Sequence, residues 1–357
     1  MPPSQLEQLG WNKHFAEAAE VFPGVGLIPG RVIVHKGDYQ VMTAEQTIRC
    51  HPSGALKFKA EGAHELPVIG DWVMIRTNLG EPTGVIAGCL PRRTSFGRKI
   101  PGNTTEVQII AANIDRAFLV SGLDGDLNLP RLERYLVLVR ESGAEPIIIL
   151  NKSDICDWID DARALVESTA PGVRVVIMSA TTGKGMDELR QLTEPGSTGA
   201  LLGSSGVGKS SIVNKLLGDE RMRTEDVRET DGRGRHTTTH RELFFLPSGG
   251  MLIDTPGLRE VQLWGEGAGI ENAFGDIETL ALECRFSNCH HETEPGCAIR
   301  GAIEREELDP DRLENYRKLT RELSHLRQKL DIRERITNKR RIVKLTVENR
   351  RKNRHRP

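Results

Sequence analysis

The alternation of hydrophobic and polar positions divides the chain into regions of different periodicity. Between residues 31 and 88, short apolar runs are separated by turn residues, which is typical of strands in a small β-barrel or sandwich. The predicted strands are Arg31–His35, Tyr39–Thr43, Thr47–Cys50, Asp71–Arg76 and Thr83–Ala87. Their number and spacing favour an OB-type barrel, although other small β folds share this rhythm. A helical pattern over Leu6–Val21 precedes the strands, and a basic connector, 91–99, follows them as a solvated loop or an RNA contact.

From Val107 onward, apolar strands alternate with amphipathic helices. The predicted strands are Ala117–Val120, Ile147–Leu150, Val173–Met178, Ala200–Leu202, Leu243–Leu246 and Met251–Ile253, and helices are predicted over Leu129–Glu141, around Ile159–Glu167 and after Gly208. This alternation predicts a parallel sheet with helices on both faces.

The length and composition of the chain bear on the number of domains and on the expected localisation. At 357 residues, the chain is long enough for two or three domains. The longest unbroken apolar run, Tyr135–Val139, is far short of the roughly 20 residues that a membrane-spanning helix needs. Residues 1–20 carry acids where a signal peptide has an apolar stretch. We therefore expect a cytoplasmic protein with no membrane partner.

Charge is distributed unevenly along the chain, although the formal net charge is −1. From Arg317 to Pro357, 16 Lys and Arg residues stand against 4 Asp and Glu residues, whereas residues 1–316 carry a net charge of −13. A basic terminal segment commonly meets polyanions. Phosphate contact fits this segment better than base reading, and a solvated tail is the alternative.

A phosphate-binding loop follows the predicted strand Ala200–Leu202. Residues 203–210 match the pattern G-x-x-x-x-G-K-[ST] between a strand and a helix. Backbone N–H groups of such a loop surround phosphate oxygens, while Lys209 faces the β- and γ-phosphates and the Ser210 hydroxyl binds Mg²⁺. The candidate nucleotide-binding residues here are Gly203, Ser204, Ser205, Gly206, Val207, Gly208, Lys209, Ser210 and Ser211.

Two elements indicate that the base is guanine. Asn151-Lys152-Ser153-Asp154 follows the predicted strand Ile147–Leu150 and matches the N-K-x-D element of GTPases. A carboxylate at Asp154 accepts hydrogen bonds from guanine N1–H and the 2-amino group, which adenine cannot supply, so GTP is preferred over ATP. Ser179-Ala180, after another predicted strand, matches the element whose backbone N–H supports the guanine oxygen.

A fourth element completes the set in an unusual order. Asp254-Thr255-Pro256-Gly257 follows a predicted strand, so Asp254 would hold Mg²⁺ through water and the Gly257 amide would face the γ-phosphate. The base-reading elements at 151 and 179 precede the phosphate-binding elements at 203 and 254, whereas an ordinary GTPase begins with the phosphate-binding loop. A circular permutation explains this order, because domain termini often lie close together.

The segment Gly232–His240 is glycine-rich, basic and hydroxyl-bearing, as a switch I segment should be. One of Thr237, Thr238 and Thr239 must reach Mg²⁺, and the pattern does not choose among them. Leu258 stands where many GTPases carry a water-orienting Gln, so we expect slow intrinsic hydrolysis. His236 is the first candidate for that role and His240 the second, with a solvated or phosphate-contacting histidine as the alternative.

Three cysteines and a histidine lie within 14 residues near the C-terminus. Cys284, Cys289, His291 and Cys297 offer a closed tetrahedral set for structural Zn²⁺, and such a short segment needs a metal to become ordered. His290 is adjacent, and the spacing favours His291. Because all four ligand positions would be filled, we do not expect this zinc to be catalytic. An amphipathic helix that packs on this module follows, with its apolar stripe at Leu313, Tyr316, Leu319, Leu323, Leu326 and Leu330.

Together these residues resemble the ribosome small subunit-dependent GTPase A family, a bacterial group of circularly permuted GTPases. The resemblance spans nearly the whole chain and includes residues 90–94, 111–115, 234–239 and 294–298 besides the nucleotide elements. It implies an OB domain, a GTPase domain and a zinc domain that bind the small ribosomal subunit and its rRNA during late maturation. It also implies that the subunit stimulates hydrolysis, that Thr238 joins Ser210 as a Mg²⁺ ligand, and that His236 orients the attacking water.

The predicted fold class is therefore multidomain α/β: an OB-type β-barrel, a circularly permuted P-loop GTPase and a zinc-binding module with helices. The predicted boundaries are 1–30 for a helical extension, 31–105 for the barrel, 106–270 for the GTPase domain, 271–330 for the zinc module and 331–357 for a basic tail. We expect a monomer that uses Mg²⁺ with GTP and one structural Zn²⁺, with other maturation factors as further partners.

Two alternative functions remain open at this point. One is a GTPase that acts on a non-ribosomal partner, for example in metal delivery. The other is an RNA-binding scaffold whose nucleotide site only stabilises the fold. The intact Lys209, Ser210 and Asp254 argue against the scaffold.

Overall fold

The computed structural model describes residues 4–60, 62–77, 83–99, 107–218, 241–254, 268–325 and 328. The described residues form two compact units, one drawn from Met1–Arg98 and Val107–Gln262 and the other from Lys99–Glu106 and Leu263–Pro357. None of the described helices is long and apolar enough to cross a membrane. The finer domain boundaries given above stay predictions.

The N-terminal region contains two short helices, α1 (Gln5–Gln8) and α2 (Lys13–Glu20), in the stretch where the pattern predicted a helical start over Leu6–Val21. The helical stretch is interrupted because Gly10 adopts φ +88°, a left-handed conformation that ends α1. Asn12 then starts α2, since its side chain accepts a hydrogen bond from the His14 amide at 3.1 Å.

The first unit begins with a β-barrel. Its strands are β1 (Ile28–Lys36), β2 (Asp38–Met42), β3 (Thr47–Pro52), β4 (Trp72–Thr77) and β5 (Thr83–Cys89), and a short helix, α3 (Gly54–Lys59), follows β3. They pair in the order β1-β2-β3-β5-β4, and β4 pairs back onto β1 to close the barrel. The alternating strand residues bury a shared core: Val32, Tyr39, Val41, Ile48, Cys50, Val73, Ile75 and Ile86. This confirms the predicted N-terminal β-barrel.

The second half of the basic connector 91–99 forms a strand, whereas Pro91 and Arg93 in its first half are exposed. Strand β6 (Ser95–Lys99) pairs with β7 (Val107–Ala112), and Phe96 is 1% exposed. Arg92 donates two hydrogen bonds to the carboxylate of Asp71, at 2.8 and 2.7 Å. The solvated-loop alternative therefore does not hold for residues 95–99 or for Arg92, which a buried carboxylate holds, and the RNA contact stays a prediction.

The rest of the first unit is an α/β domain. Its strands are β8 (Arg116–Gly122), β9 (Glu145–Asn151), β10 (Arg174–Ile177), β11 (Thr198–Leu202), β12 (Arg241–Phe245) and β13 (Met251–Asp254), and its helices are α4 (Leu129–Ser142), α5 (Ile159–Thr169), α6 (Met186–Gln191) and α7 (Lys209–Leu217). The order is β10-β9-β8-β11-β13-β12, with β12 antiparallel and the other neighbours parallel.

Both faces of this sheet are buried. Phe118 and Val120 of β8 share a core with Leu189 of α6 and Ile212 of α7. Leu119 lies between Phe118 and Val120 on the strand and points to the opposite face, where it is also fully buried. The predicted parallel sheet with two covered faces is therefore confirmed.

The barrel and the α/β domain share one continuous sheet. Strand β1 of the barrel pairs antiparallel with β12 of the α/β domain, in the register Val34↔Glu242 and His35↔Arg241. Eleven of the described strands belong to this sheet. Periodicity along the sequence gives no sign of this pairing, because it joins positions more than 200 residues apart.

The second unit contains short helices around the cysteine-rich segment. They are α8 (Ala268–Ala273), α9 (Gly275–Leu282), α10 (Ala298–Glu304) and α11 (310–325). The apolar stripe predicted for α11 is buried at Leu313, Leu319 and Leu323, whereas Leu326, Leu330 and the basic tail 331–357 lie outside the described residues. Arg312 connects α11 to α9. It donates a hydrogen bond to Asp276 of α9 at 2.8 Å, and its guanidinium lies 4.8 Å from the ring centroid of Phe274, the residue before α9.

Candidate nucleotide site and metal cluster

The nucleotide elements gather at one edge of the sheet because each follows a parallel strand. Gly203 comes directly after β11, Lys152 after β9, and Ser179 two residues after β10. Asp254 is the last residue of β13. Since β8, β9, β10, β11 and β13 run parallel, their carboxyl ends lie side by side.

The phosphate-binding loop depends on glycine at two positions of close approach. Gly203 has φ +149°, and a Cβ there would collide with the carbonyl oxygen of Val120. Gly208 has φ +94°, and a Cβ there would collide with the side-chain amide of Asn151. These glycines let the chain turn tightly into α7, whose first residue is Lys209.

The Lys209 side chain folds back onto the start of the phosphate-binding loop. Its ammonium donates to the carbonyl oxygen of Gly203 at 2.8 Å and also to that of Ser204. Ser205 and Gly206 are exposed at the crest of the loop, while Val207 is buried beneath it. Ser210 and Ser211 occupy the first turn of α7, so their hydroxyls lie near the positive end of the helix dipole.

Asn151 connects the base-reading elements to the phosphate-binding loop. Its side chain is buried, donates to the carbonyl oxygen of Val207 at 2.8 Å and accepts from the amide of Ala180 at 3.0 Å. One residue therefore fixes the distance between the two ends of the candidate site. The Ala180 amide, which the sequence offers to guanine, already donates to Asn151, so any contact with the base would share this donor.

The other residues of the N-K-x-D element differ in their contacts and in their exposure to solvent. Lys152 has φ +65° and forms an ion pair with Asp124. Ser153 is buried, and its amide donates to the carbonyl oxygen of Met178 at 3.1 Å. Asp154 is exposed to solvent, which leaves its carboxylate accessible to a base.

Asp124 is a site residue that the sequence analysis missed. It lies in the loop after β8, and the amide of the preceding Leu123 donates to the carbonyl oxygen of Asn151 at 2.9 Å. The Asp124 carboxylate lies against Gly122, in the space that a Cβ at that position would occupy. The available signal was the position of an acidic residue just after a buried strand of the same sheet.

Several predicted site residues lie outside the described part of the chain. They are His236, Thr238 and Gly257, and with them His240, the other switch I threonines and Leu258. The backbone of Asp254 is described as the end of β13, where it pairs with Glu242 of β12. The roles predicted for these residues stay predictions.

The four predicted metal ligands of the second unit lie together. The ligand atoms of Cys284, Cys289, His291 and Cys297 are all within 4.8 Å of one another. The His291 Nδ1 atom lies 3.5 Å from the Sγ atoms of both Cys284 and Cys297, and those two sulfurs are 3.9 Å apart. A tetrahedral Zn²⁺ with ordinary bond lengths requires sulfur–sulfur and sulfur–nitrogen separations of about 3.8 and 3.6 Å. The residues therefore fit a tetrahedral metal ion.

The loop between the ligands is shaped by hydrogen bonds from its backbone. The Glu294 carboxylate accepts from the amides of His290 and Glu292 at 2.9 Å and of Thr293 at 3.0 Å. These amides hold the pKa of Glu294 down at about 2. Arg317 of α11 donates to the carbonyl oxygen of His291 at 2.6 Å. The arrangement turns the ring of His291, and not that of His290, toward the cysteines.

The fold and the motifs define a P-loop GTPase whose base-reading elements precede its phosphate-binding elements, that is, a circularly permuted GTPase. The family model described as RsgA GTPase matches residues 89–264, and the model described as 50S ribosome-binding GTPase matches residues 198–341. The chain belongs to the RsgA GTPase family. It is accordingly a GTP hydrolase, and the family implies that Mg²⁺ accompanies GTP.

Relatives and solved structures match most of the chain. "Small ribosomal subunit biogenesis GTPase RsgA" of Opitutus terrae is 43% identical over 336 residues, which cover 91% of this chain and 92% of the relative. The protein of the same name from Streptomyces coelicolor is also 43% identical, with 93% and 90% covered. The crystal structure of YjeQ from Thermotoga maritima aligns with a TM-score of 0.62 and 28% identity over 83% of this chain and 98% of that one. YloQ, described as a circularly permuted GTPase, aligns with a TM-score of 0.60 at 24% identity over 84% of this chain and 96% of YloQ, which supports the fold.

Proposed function

We propose that this GTPase acts in the biogenesis of the small ribosomal subunit, in the cytoplasm, and that the subunit stimulates its hydrolysis of GTP. The observation that carries this proposal is the match, at 43% identity and over nine-tenths of both chains, to a protein named for that process. A match of this extent takes in the barrel, the GTPase domain and the metal cluster together. We expect a monomer that binds rRNA, with other maturation factors as neighbours.

In this proposal the nucleotide binds across the edge of the sheet. The amides of residues 203–208 and the Lys209 ammonium bind the phosphates, so Lys209 exchanges its carbonyl partners for phosphate oxygens. Asp154, which follows the ion-paired Lys152 by two residues, accepts from guanine. Ser179 and Ala180 line the base, and Asn151 joins the two halves of the site.

Metal and water complete the proposed chemistry. Ser210 and Thr238 would ligate Mg²⁺, with Asp254 acting through water and the Gly257 amide facing the γ-phosphate. When bound, Mg²⁺ neutralises charge between the β- and γ-phosphates. His236 would orient the attacking water, because Leu258 offers no polar group in the usual position.

The cysteine cluster would hold one structural Zn²⁺. Cys284, Cys289, His291 and Cys297 would fill all four tetrahedral positions, which leaves none for a substrate or for transfer of the metal. A closed site of this kind favours a structural role over the alternative of metal delivery. The ordered module would then present α11 and the basic tail to rRNA phosphates.

The binding arm of the test uses sedimentation with purified ribosomal subunits. Protein loaded with a non-hydrolysable GTP analogue should co-sediment with small subunits, and protein loaded with GDP should do so roughly tenfold more weakly. Large subunits are the control, since one matching family model is described as binding the 50S particle. Equal binding to both subunits, or none to the small one, would contradict the proposal.

A second experiment distinguishes a loss of subunit binding from a loss of GTP hydrolysis. We expect His236→Ala to co-sediment with small subunits like the wild type but to lose roughly a hundredfold or more of the single-turnover hydrolysis rate. His240→Ala is the matched control, because it removes a histidine from the same segment. An unchanged rate in His236→Ala would keep the function and discard His236 as the water-orienting residue.

A further inference from the structure

Besides the pairing of β1 with β12, a buried arginine on strand β1 contacts the nucleotide-binding half of the first unit. Arg31 is 2% exposed, and its guanidinium reaches four separate segments. It donates to the carbonyl oxygen of Leu9 after α1, of Gly70 at 3.3 Å and of Asn113 at 3.0 Å, and its Nη1 lies 3.6 Å from Met251 Sδ. A charged group buried this deeply requires such partners, because desolvation alone would make it strongly unfavourable.

Met251 places this contact on the strand that carries Asp254. It is the first residue of β13, and Asp254 is the last. Arg31 therefore connects the barrel to the base of the strand whose far end would face Mg²⁺ and the γ-phosphate. Burial lowers the pKa of Arg31 to about 10, against the raising effect of Asp115 and Asp71, so the guanidinium stays charged at neutral pH.

A second connection runs through the backbone of the same strands. Val34 of β1 pairs with Glu242 of β12, and Glu242 pairs with Asp254 of β13. These three residues form one row across the sheet, so Asp254 lies two strand spacings, or about 10 Å, from the barrel strand. Strand β1 is thus connected to β13 in two ways: the Arg31 side chain reaches Met251 directly, and the row through Glu242 of β12 links Val34 to Asp254.

We propose that Arg31 is a positioning residue that couples the barrel to the nucleotide site by joining β1 to β13. When the nucleotide state shifts Asp254, the shift reaches β1, and a ligand held by the barrel acts back on Asp254 to the same extent, because coupling is reciprocal. The part of this inference that concerns the ribosome rests on the proposed function, since small-subunit rRNA would be the ligand of the barrel.

The primary test needs no ribosome. Hydrogen exchange of the β1 amides is measured in the full-length protein loaded with GDP and with a non-hydrolysable GTP analogue. We expect the wild type to show a difference of roughly fivefold or more between the two nucleotides. Arg31→Met should abolish the difference, while the affinity for each nucleotide stays within about twofold. A wild type without the difference, or an Arg31→Met variant that keeps it, would overturn the proposal.

Arg92→Met is the matched control. Arg92 is also a largely buried arginine, but the groups to which it donates, the Asp71 carboxylate and the carbonyl oxygens of His64 and Leu66, all belong to the barrel. This variant should lower the thermal midpoint of unfolding and still keep the nucleotide-dependent exchange. If both variants lost the difference equally, a general loosening of the barrel would explain the result and the role of Arg31 would be rejected.

A conservative variant covers the case in which Arg31→Met does not fold. Met251→Leu keeps the volume of the β13 side chain and removes the sulfur that faces Arg31. We expect a reduced nucleotide-dependent difference with an unchanged thermal midpoint, and a full wild-type difference would overturn the proposal.

A ribosomal arm distinguishes failure of this inference from failure of the proposed function. The ratio of small-subunit affinities in the GTP-analogue and GDP states should fall toward one in Arg31→Met and stay unchanged in Arg92→Met. If exchange shows the coupling but small subunits bind in neither state, the proposed function fails while the role of Arg31 stands. If small subunits bind only in the GTP state in both variants, the proposed function stands and the role of Arg31 is rejected.

Discussion

At the scale of single residues, the nucleotide site is held together by a few side chains between loops. Asn151 joins the base-reading elements to the phosphate-binding loop through Val207 and Ala180. Its position depends on Gly208, since any side chain there would displace it. The motif residues could be identified from the sequence because their spacing is local. For Asp124 the sequence offered only its position after a buried strand, because its contact with Lys152 joins loops of two neighbouring strands.

Gly208→Ala tests the close approach to Asn151. The added Cβ would collide with the Asn151 amide and also strain a residue at φ +94°, so we expect the affinity for GDP to fall roughly tenfold or more, about 1.4 kcal/mol. Gly172→Ala is the control, because Gly172 has φ +76° with open space around it and therefore adds the strain without the collision. Isothermal titration with GDP measures both. Equal losses in the two variants would contradict the collision.

Asp124→Asn tests the ion pair with Lys152. Both side chains are partly exposed, so we expect a modest effect of about 0.4–1 kcal/mol, or a two- to fivefold higher Kd for GDP, with thermal stability nearly unchanged. The exposed Asp157→Asn serves as the control for removal of one negative charge from the same region. A Kd that rises equally in both variants would point to general electrostatics and not to the pair.

At the scale of elements, local signals predicted most strands and helices, and long-range contacts explain the differences. The α/β strands followed from continuous apolar runs, and α11 followed from its three- and four-residue spacing. The break at Gly10 has local signals, a glycine followed by the N-cap residue Asn12, that helical spacing alone does not register, and a Cβ at Gly10 would also lie 2.7 Å from the distant Gly196 carbonyl oxygen. Strand β6 was missed because it is defined by its pairing with β7, and pairing between separate segments leaves no mark in the local pattern.

In the cysteine-rich loop, we expect the Glu294 carboxylate to affect how firmly the metal is held. The pKa of Glu294 is lowered from 4.5 to about 2, so its carboxylate contributes stability above pH 4.5 that is lost as the pH falls toward 2. At neutral pH, Glu294→Gln should weaken the acceptor for the amides of His290, Glu292 and Thr293 and speed release of bound Zn²⁺ to a chelator roughly threefold or more. Glu292→Gln, an exposed neighbour, is the control and should release zinc at the wild-type rate.

At the scale of the whole molecule, the continuous sheet makes the barrel and the GTPase domain of the first unit one body. The pairing of β1 with β12 was invisible in the sequence, because a strand at the edge of one region carries no local mark of its partner in another. The family and the nucleotide chemistry were predictable, since they depend on short motifs. The connection between barrel and nucleotide site required the fold.

We expect the charge of the basic tail to affect the affinity of the whole molecule for small ribosomal subunits. Removing residues 331–357 deletes 11 Lys and Arg residues against 3 Asp and Glu residues. We expect weaker binding to small subunits and a shallower dependence of that binding on salt, because fewer counterions are released. The basal hydrolysis rate should not change. Affinities measured between about 50 and 200 mM salt test this, and an unchanged salt slope would show that the tail makes no phosphate contacts.

We propose that the small ribosomal subunit triggers hydrolysis by this GTPase, and steady-state GTP turnover tests this trigger most directly. The rate is measured for the protein alone and with purified small subunits, large subunits or intact ribosomes, at fixed salt. We predict slow turnover alone and a rise of roughly tenfold or more with small subunits, with no comparable rise from large subunits. Bound GTP that turns over at the same slow rate with every particle would contradict the claim.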